Sequence, residues 1–254
     1  MLHVSRDRTV YDAGHIPGAR FLAFSDLVIV RDGVTNELPP AAGLKKLFEQ
    51  VGVSDESRVV LYGDVSVLPA TRAYFTFDYL GHGDHVSLLD GGLHKWSAES
   101  RPLNKEEPAA RTGRFTPRPR PEVVVGAEAV KDLSWAASNK SSQSPVLLDV
   151  RPAEQCLGTS ANESANGHIP GAVNLYWVES QVGREILTLK AQPDLRKLFE
   201  SSGVTPGRPV VTYCGSGVQA TQTYFTVKYL GYDVSMYDGS FSEWVKTKGA
   251  AVEK

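Results

Sequence analysis

The sequence predicts an α/β protein of two tandem domains, each a mostly parallel sheet with helices on both faces. Three observations carry that prediction. A set of motifs occurs twice, in the same order. Within each copy, short apolar, β-branched runs alternate with runs of helical spacing, the pattern of parallel sheets covered by helices. The chain has 254 residues, room for two domains of ordinary size.

The repeat is read directly from the residues. Gly14-His15-Ile16-Pro17-Gly18-Ala19 returns as Gly167-His168-Ile169-Pro170-Gly171-Ala172, and Lys46-Leu47-Phe48-Glu49 as Lys197-Leu198-Phe199-Glu200. Tyr74-Phe75-Thr76 and Tyr79-Leu80-Gly81 return as Tyr224-Phe225-Thr226 and Tyr229-Leu230-Gly231. Asp90-Gly91 with Trp96 returns as Asp238-Gly239 with Trp244. We therefore expect one copy over residues 1–100 and a second over 123–254.

In chain order, the first copy opens almost at Met1 with a strand at Leu2-His3-Val4-Ser5. Its loop Tyr62-Gly63-Asp64-Val65-Ser66-Val67-Leu68-Pro69 precedes a helical run. Residues 101–122 are rich in proline and arginine, have no periodicity and read as an extended linker. A helix over Ala127 to Ala137 opens the second copy. The first copy has no room for its equivalent, so that copy is either trimmed or begins upstream. Val146 to Val150 reads as a strand, and Asp194 to Ser201 as a helix closed by Gly203. Pro209 to Tyr213 is a buried strand, Ala220 to Leu230 a helix stopped by Gly231, and Asp233 to Tyr237 a strand.

Composition narrows the functional classes. Hydrophobic residues are 41% and charged residues 22%, as in a globular protein with a real core. A net charge of −2 makes no case for nucleic acid or a membrane surface. No apolar signal core and no run of membrane-spanning length appear, so the expected location is cytoplasmic. Cys156 and Cys214 are the only cysteines, and in such a chain a disulfide between them is not expected.

Chemistry concentrates at Cys214-Gly215-Ser216-Gly217-Val218-Gln219, a tight loop between a strand end and a helix start. Glycines allow close backbone approach, and loop amides with a helix N-terminus lower a thiol pKa and hold an anion. The repeat then acts as an internal control. Positions shared by both copies serve the fold, and positions present in one copy are candidates for function. In the first copy Gly63, counted from the strand, or Asp64, counted from the helix, stands opposite Cys214. Neither carries a thiol, so that copy is expected to be silent. His15 and His168 lie in the shared hexapeptide and read as turn residues bonded to backbone. Trp96 and Trp244 read as core. Cys156 has no glycine loop and reads as a small buried hydrophobe. Arg151, at a strand end where the first copy has Ser5, can fork onto a carboxylate or sulfonate. No metal-ligand spacing is visible among the six histidines and two cysteines.

These residues resemble the rhodanese family, specifically its tandem-domain sulfurtransferases that use 3-mercaptopyruvate or thiosulfate. The likeness rests on Asp149 with Arg151, the repeated Gly-His-Ile-Pro-Gly-Ala, the Cys214–Val218 loop, and Tyr237-Asp238-Gly239-Ser240 with Trp244. It implies two rhodanese-like domains, a silent first and a catalytic second. It also implies that the Cys214 thiolate takes sulfur from a small anionic donor, becomes a persulfide, and passes it to cyanide or a thiol. The resemblance extends the acceptor thiol to that of a thioredoxin-like protein and implies no added cofactor. Amides of Gly215, Gly217, Val218 and Gln219 would hold the persulfide, with Arg151 on the donor's anionic group. Many members carry an arginine four positions after Arg151, and thiosulfate users often a basic residue just after the cysteine. Here those positions are Gln155, and Gly215 and Ser216. The loop is closer to the mercaptopyruvate type, in which serine and histidine at the positions of Ser216 and His15 handle substrate, with Asp7 or Asp12 as the histidine's acidic partner. We expect 3-mercaptopyruvate to be preferred. A phosphatase or arsenate reductase needs an arginine six positions after the cysteine, where Ala220 stands. The remaining alternatives are a thiosulfate-preferring sulfurtransferase and a non-catalytic sulfur carrier or interaction module.

Overall fold

The computed structural model describes residues 1–109, 111–139 and 144–254. They form two compact units, each an α/β domain. The first contains residues 1–29, 38–120 and 183–189, and the second residues 30–37, 121–182 and 190–254.

The chain begins with β1 (Leu2–Ser5), α1 (Arg8–Ala13) and β2 (Arg20–Ala23), followed by β3 (Ile29–Arg31) and β4 (Val34–Glu37), which pair in a sheet of their own. It continues through α2 (Ala41–Gln50), β5 (Val59–Tyr62), α3 (Leu68–Tyr79), β6 (Val86–Leu88) and α4 (Gly92–Ala98). The first sheet runs β2-β1-β5-β6, parallel throughout. Next come β7 (Val124–Val125), α5 (Ala127–Ser138), β8 (Val146–Asp149), α6 (Ala153–Cys156) and β9 (Val173–Asn174), then β10 (Gln181–Val182), β11 (Thr188–Leu189) and α7 (Gln192–Ser201). The chain ends with β12 (Val210–Tyr213), α8 (Gln219–Tyr229), β13 (Val234–Tyr237) and α9 (Ser240–Trp244). The second sheet, β7-β13-β12-β8-β9, is also parallel. Its last four strands repeat the order of the first sheet. β7 and α5 have no counterpart among the described residues of the first unit.

The repeated hexapeptide has a physical cause. Ile16-Pro17-Gly18-Ala19 forms a type II turn, with Pro17 fixing the first corner and Gly18 at φ 77 the second. The Ala19 amide donates to the Ile16 carbonyl at 2.9 Å, and Ala172 to Ile169 at 3.0 Å. In each unit the isoleucine amide of this turn donates to a tyrosine hydroxyl at the end of a central strand, Tyr62 at 3.2 Å and Tyr213 at 3.1 Å. The core of the second unit gathers Val130, Leu147, Ile169, Tyr213, Phe241 and Trp244 beneath that turn. The Trp244 indole donates to the Ala251 carbonyl at 2.8 Å, and Trp96, only partly buried, to Pro102 at 2.9 Å.

The expected linker is corrected. Through Arg120 it lies along the first unit instead of spanning free. Asn104 exchanges backbone hydrogen bonds with His15, and the Arg118 amide donates to the Leu80 carbonyl at 2.9 Å. Phe115 is buried edge-on to Phe48 and Phe77. That one aromatic anchors the segment in the core of the first unit. The boundaries at 1–100 and 123–254 change accordingly. Residues 30–37 fold with the second unit and 183–189 with the first, where the Leu189 amide donates to Asp90 at 3.1 Å.

Candidate active site

Cys214 sits at the carboxyl end of β12, flanked in the sheet by β8 and β13. The loop 214–218 then enters α8. Its outer side is pinned by α9, where the Phe241 amide donates to the Cys214 carbonyl at 2.9 Å and Ser242 to Gly215 at 3.0 Å. Its inner side closes on Ser240. The amides of Cys214 and Gly217 both donate to the Ser240 Oγ, at 3.2 and 3.1 Å, and that hydroxyl donates to the Tyr237 carbonyl at 2.9 Å. Ser240 Oγ also lies 4.0 Å from Cys214 Sγ. Gly217 has φ 75, and a Cβ there would stand 2.5 Å from the Asp238 carbonyl oxygen, so the position requires glycine.

The remaining loop amides, of Gly215, Ser216, Val218 and Gln219, have no acceptor among the described residues. Together with the N-terminus of α8 they form a cradle for negative charge around the sulfur. The expected amide of Gly217 is not part of it, because Ser240 takes that donor. Cys214 itself is 1% exposed and is not in a disulfide.

Arg151 is the larger correction. It is 1% exposed, and its guanidinium is used inside the unit. Its Nε donates to Asp149 Oδ1 at 2.9 Å, Nη1 to the Ala165 carbonyl at 2.8 Å and Nη2 to the Gly167 carbonyl at 2.6 Å, with a second bond from Nη2 to Asp149. Its carbon centre lies 3.9 Å from the Phe241 ring centroid. Asp149 also accepts from the Tyr213 hydroxyl at 2.9 Å. Burial, then the Asp149 charge, push the Tyr213 phenol well above its ordinary pKa, so a neutral hydroxyl makes that bond. The buried pair thus holds the two neighbours of the thiol loop, Tyr213 and Phe241.

His15, a catalytic candidate by resemblance, lies in the shared turn of the first unit. It is fully buried in the first unit, stacked on Tyr11 at 3.8 Å, with Nδ1 3.0 Å from the Tyr11 carbonyl and Nε2 3.2 Å from that of Glu106. His168 repeats the pattern, with Nδ1 2.9 Å from the Cys156 carbonyl and backbone pairing to Glu253. In both units the histidine ties the turn to the segment that follows the tryptophan-bearing helix, α4 or α9. Asp7 caps α1 through the Thr9 amide at 2.8 Å, and Asp12 lies 3.4 Å from Arg8. Burial and then the Asp149 charge push the Cys156 thiol up to about 12, so it stays protonated at neutral pH.

Two residues not among the sequence-derived site candidates bond to the thiol loop. Ser240 is one. Asn36 of β4, at φ 64, donates from Nδ2 to the Ser216 Oγ at 3.1 Å. Beside it, burial raises the Glu37 carboxyl, with Arg31 at 3.2 Å pulling it back and Asp238 and Glu243 adding to the rise. The same segment is tied down where Lys246 Nζ donates to the Gly33 carbonyl at 2.8 Å. No periodicity in residues 30–37 foretells this. Ser240 carried a legible signal, since the first copy has Gly92 at that position.

The first unit also decides which residue replaces the cysteine. Leu93 donates to the Gly63 carbonyl at 2.9 Å and His94 to Asp64 at 3.3 Å, as Phe241 and Ser242 do to Cys214 and Gly215. Gly63 therefore holds the place of Cys214, and Asp64 that of Gly215. The Asp64 carboxylate accepts from Ser5 Oγ at 2.5 Å and meets His3 Nε2.

A rhodanese-like domain profile matches residues 5–99 and 132–247. The chain is 36% identical over 270 residues to the sulfur carrier protein TtuD of Thermus thermophilus, covering 100% of this chain and 90% of that protein. It is 32% identical over 244 residues to the thiosulfate sulfurtransferase of Pseudomonas aeruginosa, covering 96% and 87%. Among solved structures, EanB in a persulfide tetrahedral-intermediate state with ergothioneine superposes with a TM-score of 0.85 at 25% identity. That match covers all of this chain and 64% of EanB.

Proposed function

The chain belongs to the rhodanese family, and on that premise we propose that its second unit is a sulfurtransferase working through a Cys214 persulfide, with 3-mercaptopyruvate as the preferred donor. The observation that carries the reading is Cys214 at the end of a central strand, under a loop whose amides of Gly215, Ser216, Val218 and Gln219 have no acceptor among the described residues. The first unit, with Gly63 in the cysteine's place, is catalytically silent in this reading.

The Cys214 thiolate attacks the donor's sulfur. The donor's carbon–sulfur bond breaks, and its electron pair leaves on the pyruvate enolate. The enolate takes a proton and departs as pyruvate. The Cys214 persulfide remains, its outer sulfur anionic in the cradle. Cyanide or a thiol then attacks that outer sulfur and leaves as thiocyanate or a new persulfide, and the thiolate is regenerated. Ser216 supplies a hydroxyl to the donor's keto oxygen, where charge develops.

The donor preference is an electrostatic inference. Residues 214–219 contain no cationic side chain, and Arg151 is spent on Asp149. Thiosulfate is a compact dianion and needs concentrated positive charge. Amides and a helix N-terminus suit a single carboxylate better. A thiosulfate-preferring enzyme is the second reading, favoured by the name of the Pseudomonas relative, and a carrier is the third, favoured by the Thermus relative.

One experiment separates the three. Catalytic efficiencies for the two donors are compared with cyanide as common acceptor, in wild type, Cys214→Ser and Cys156→Ser. We expect a ratio favouring 3-mercaptopyruvate, no turnover in Cys214→Ser, and near-normal turnover in Cys156→Ser. A ratio favouring thiosulfate overturns the donor assignment. A single stoichiometric release of thiocyanate identifies a carrier.

A further inference from the structure

We propose that Asn36 is a positioning residue for Ser216, fixing the direction of its hydroxyl proton. The proposal rests on the reading above, in which Ser216 serves the donor's oxygen. A serine hydroxyl has one proton and two lone pairs, and its rotor alone does not choose where the proton points. Asn36 Nδ2 donates into the Ser216 Oγ at 3.1 Å, which occupies a lone pair. The Ser216 proton has no acceptor among the described residues, and Ser216 is partly exposed. With Asn36 holding the oxygen from one side, that proton is left for an incoming group.

Asn36 is built to do this. Its φ of 64 is left-handed, a region in which asparagine is among the few tolerated side chains. The segment carrying it is anchored at its turn by Lys246 on the Gly33 carbonyl and along its length by the Arg31–Glu37 pair. Although residues 30–37 fall in the first copy by sequence, they fold with the second unit, so the residue reaches the thiol loop from a distant part of the chain.

Two substitutions suit that backbone. Asn36→Gly removes the side chain and keeps the left-handed conformation. Asn36→Asp keeps the shape but accepts instead of donating, and so draws the Ser216 proton away from the donor. Single-turnover persulfide formation is followed with 3-mercaptopyruvate, alongside steady-state kcat and KM and the thermal midpoint. We expect Asn36→Gly to slow persulfide formation by roughly 2- to 10-fold, the range set by one lost neutral hydrogen bond. Asn36→Asp should match Ser216→Ala. The loss should fall on kcat, with discharge of the persulfide by cyanide unchanged. In a Ser216→Ala background neither Asn36 change should slow the reaction further. Wild-type rates in Asn36→Asp, or an undiminished Asn36→Gly effect on top of Ser216→Ala, overturn the proposal while leaving Ser216 in place. If Ser216→Ala itself reacts like wild type, the proposal falls together with the role of Ser216, and Cys214→Ser still tests the persulfide separately. Should Asn36→Gly lower the midpoint, the near-isosteric Asn36→Asp decides.

Discussion

Ser240 occupies a backbone conformation that costs any residue but glycine, with φ 54 where the first unit has Gly92 at φ 55. The strain persists because its hydroxyl accepts the amides of Cys214 and Gly217 and so sets the inner curve of the thiol loop. Two substitutions separate strain from bonding. Ser240→Ala keeps the strain and abandons two buried amides, each costing about 1–3 kcal/mol when left unsatisfied. Ser240→Gly abandons the same amides but releases the strain, so it should be the more stable of the two by about 1 kcal/mol. Urea unfolding gives the order, and persulfide formation should fall in both; a Ser240→Ala protein as stable as wild type would contradict the bonding role. Cys156 gives a pH test at the same scale. Its thiol, pushed up to about 12, should resist alkylation in the folded protein at pH 7 to 9, while Cys214 reacts with a small reagent such as iodoacetamide. Peptide mapping after labelling reads both; label on Cys156 first would refute the assignment. The cysteine of the loop was legible from Gly215 and Gly217 alone. Ser240 was legible only as an asymmetry between copies, because its bonds depend on where β13 returns, which no local pattern encodes.

At the scale of elements, the Arg151–Asp149 pair links the end of β8 to the end of β12 and to α9. Sequence position alone suggested an arginine at a strand end beside the thiol, and β8 does neighbour β12. The direction of the side chain was not legible, since it depends on the Ala165 and Gly167 carbonyls arriving from the turn that precedes β9. Two mechanisms give opposite predictions for Arg151→Met. If the guanidinium bound a donor, KM would rise and stability would hold. With the pair buried, removing the arginine strands the Asp149 carboxylate at 0% exposure, a loss of about 3–5 kcal/mol. We therefore expect a large drop in thermal midpoint, with near-normal donor KM in whatever folded protein remains at low temperature. Arg151→Met with Asp149→Leu, which removes both charges, should recover much of the lost stability. Residues 101–120 show the same limit of local reading. Their proline and arginine content carries no periodicity, and the packed position of Phe115 between Phe48 and Phe77 ties the segment to the first unit.

Across the whole molecule, the tandem fold was legible because both copies need the same side chains for the same turn, Pro17 and Pro170 at one corner and Gly18 and Gly171 at the next. What separates the copies lies in a loop that is one residue longer in the first, from Tyr62 to Ala70 against Tyr213 to Ala220. The extra residue changes the path of the backbone as well as the residue at the cysteine's place. A Cβ on Gly63 would stand 2.2 Å from the Ser66 carbonyl oxygen, whereas at the corresponding place Cys214 carries its side chain without strain at φ. In the first unit the place of the cysteine is thus closed by main chain, and Asp64, bonded to Ser5 and held by His3, fills the position beside it. Restoring the thiol alone should therefore restore nothing. In a Cys214→Ser background, Gly63→Cys must push the Ser66 backbone aside and should lower the thermal midpoint. It should yield no thiocyanate, and neither should Asp64→Cys, whose thiol would stand one position away from the cradle. Intact-mass measurement after incubation with 3-mercaptopyruvate provides the readout, with Cys156 also replaced by serine so that any added sulfur reports the introduced thiol. Stable persulfide on that thiol would mean that a side chain, and not the path of the loop, keeps the first unit silent.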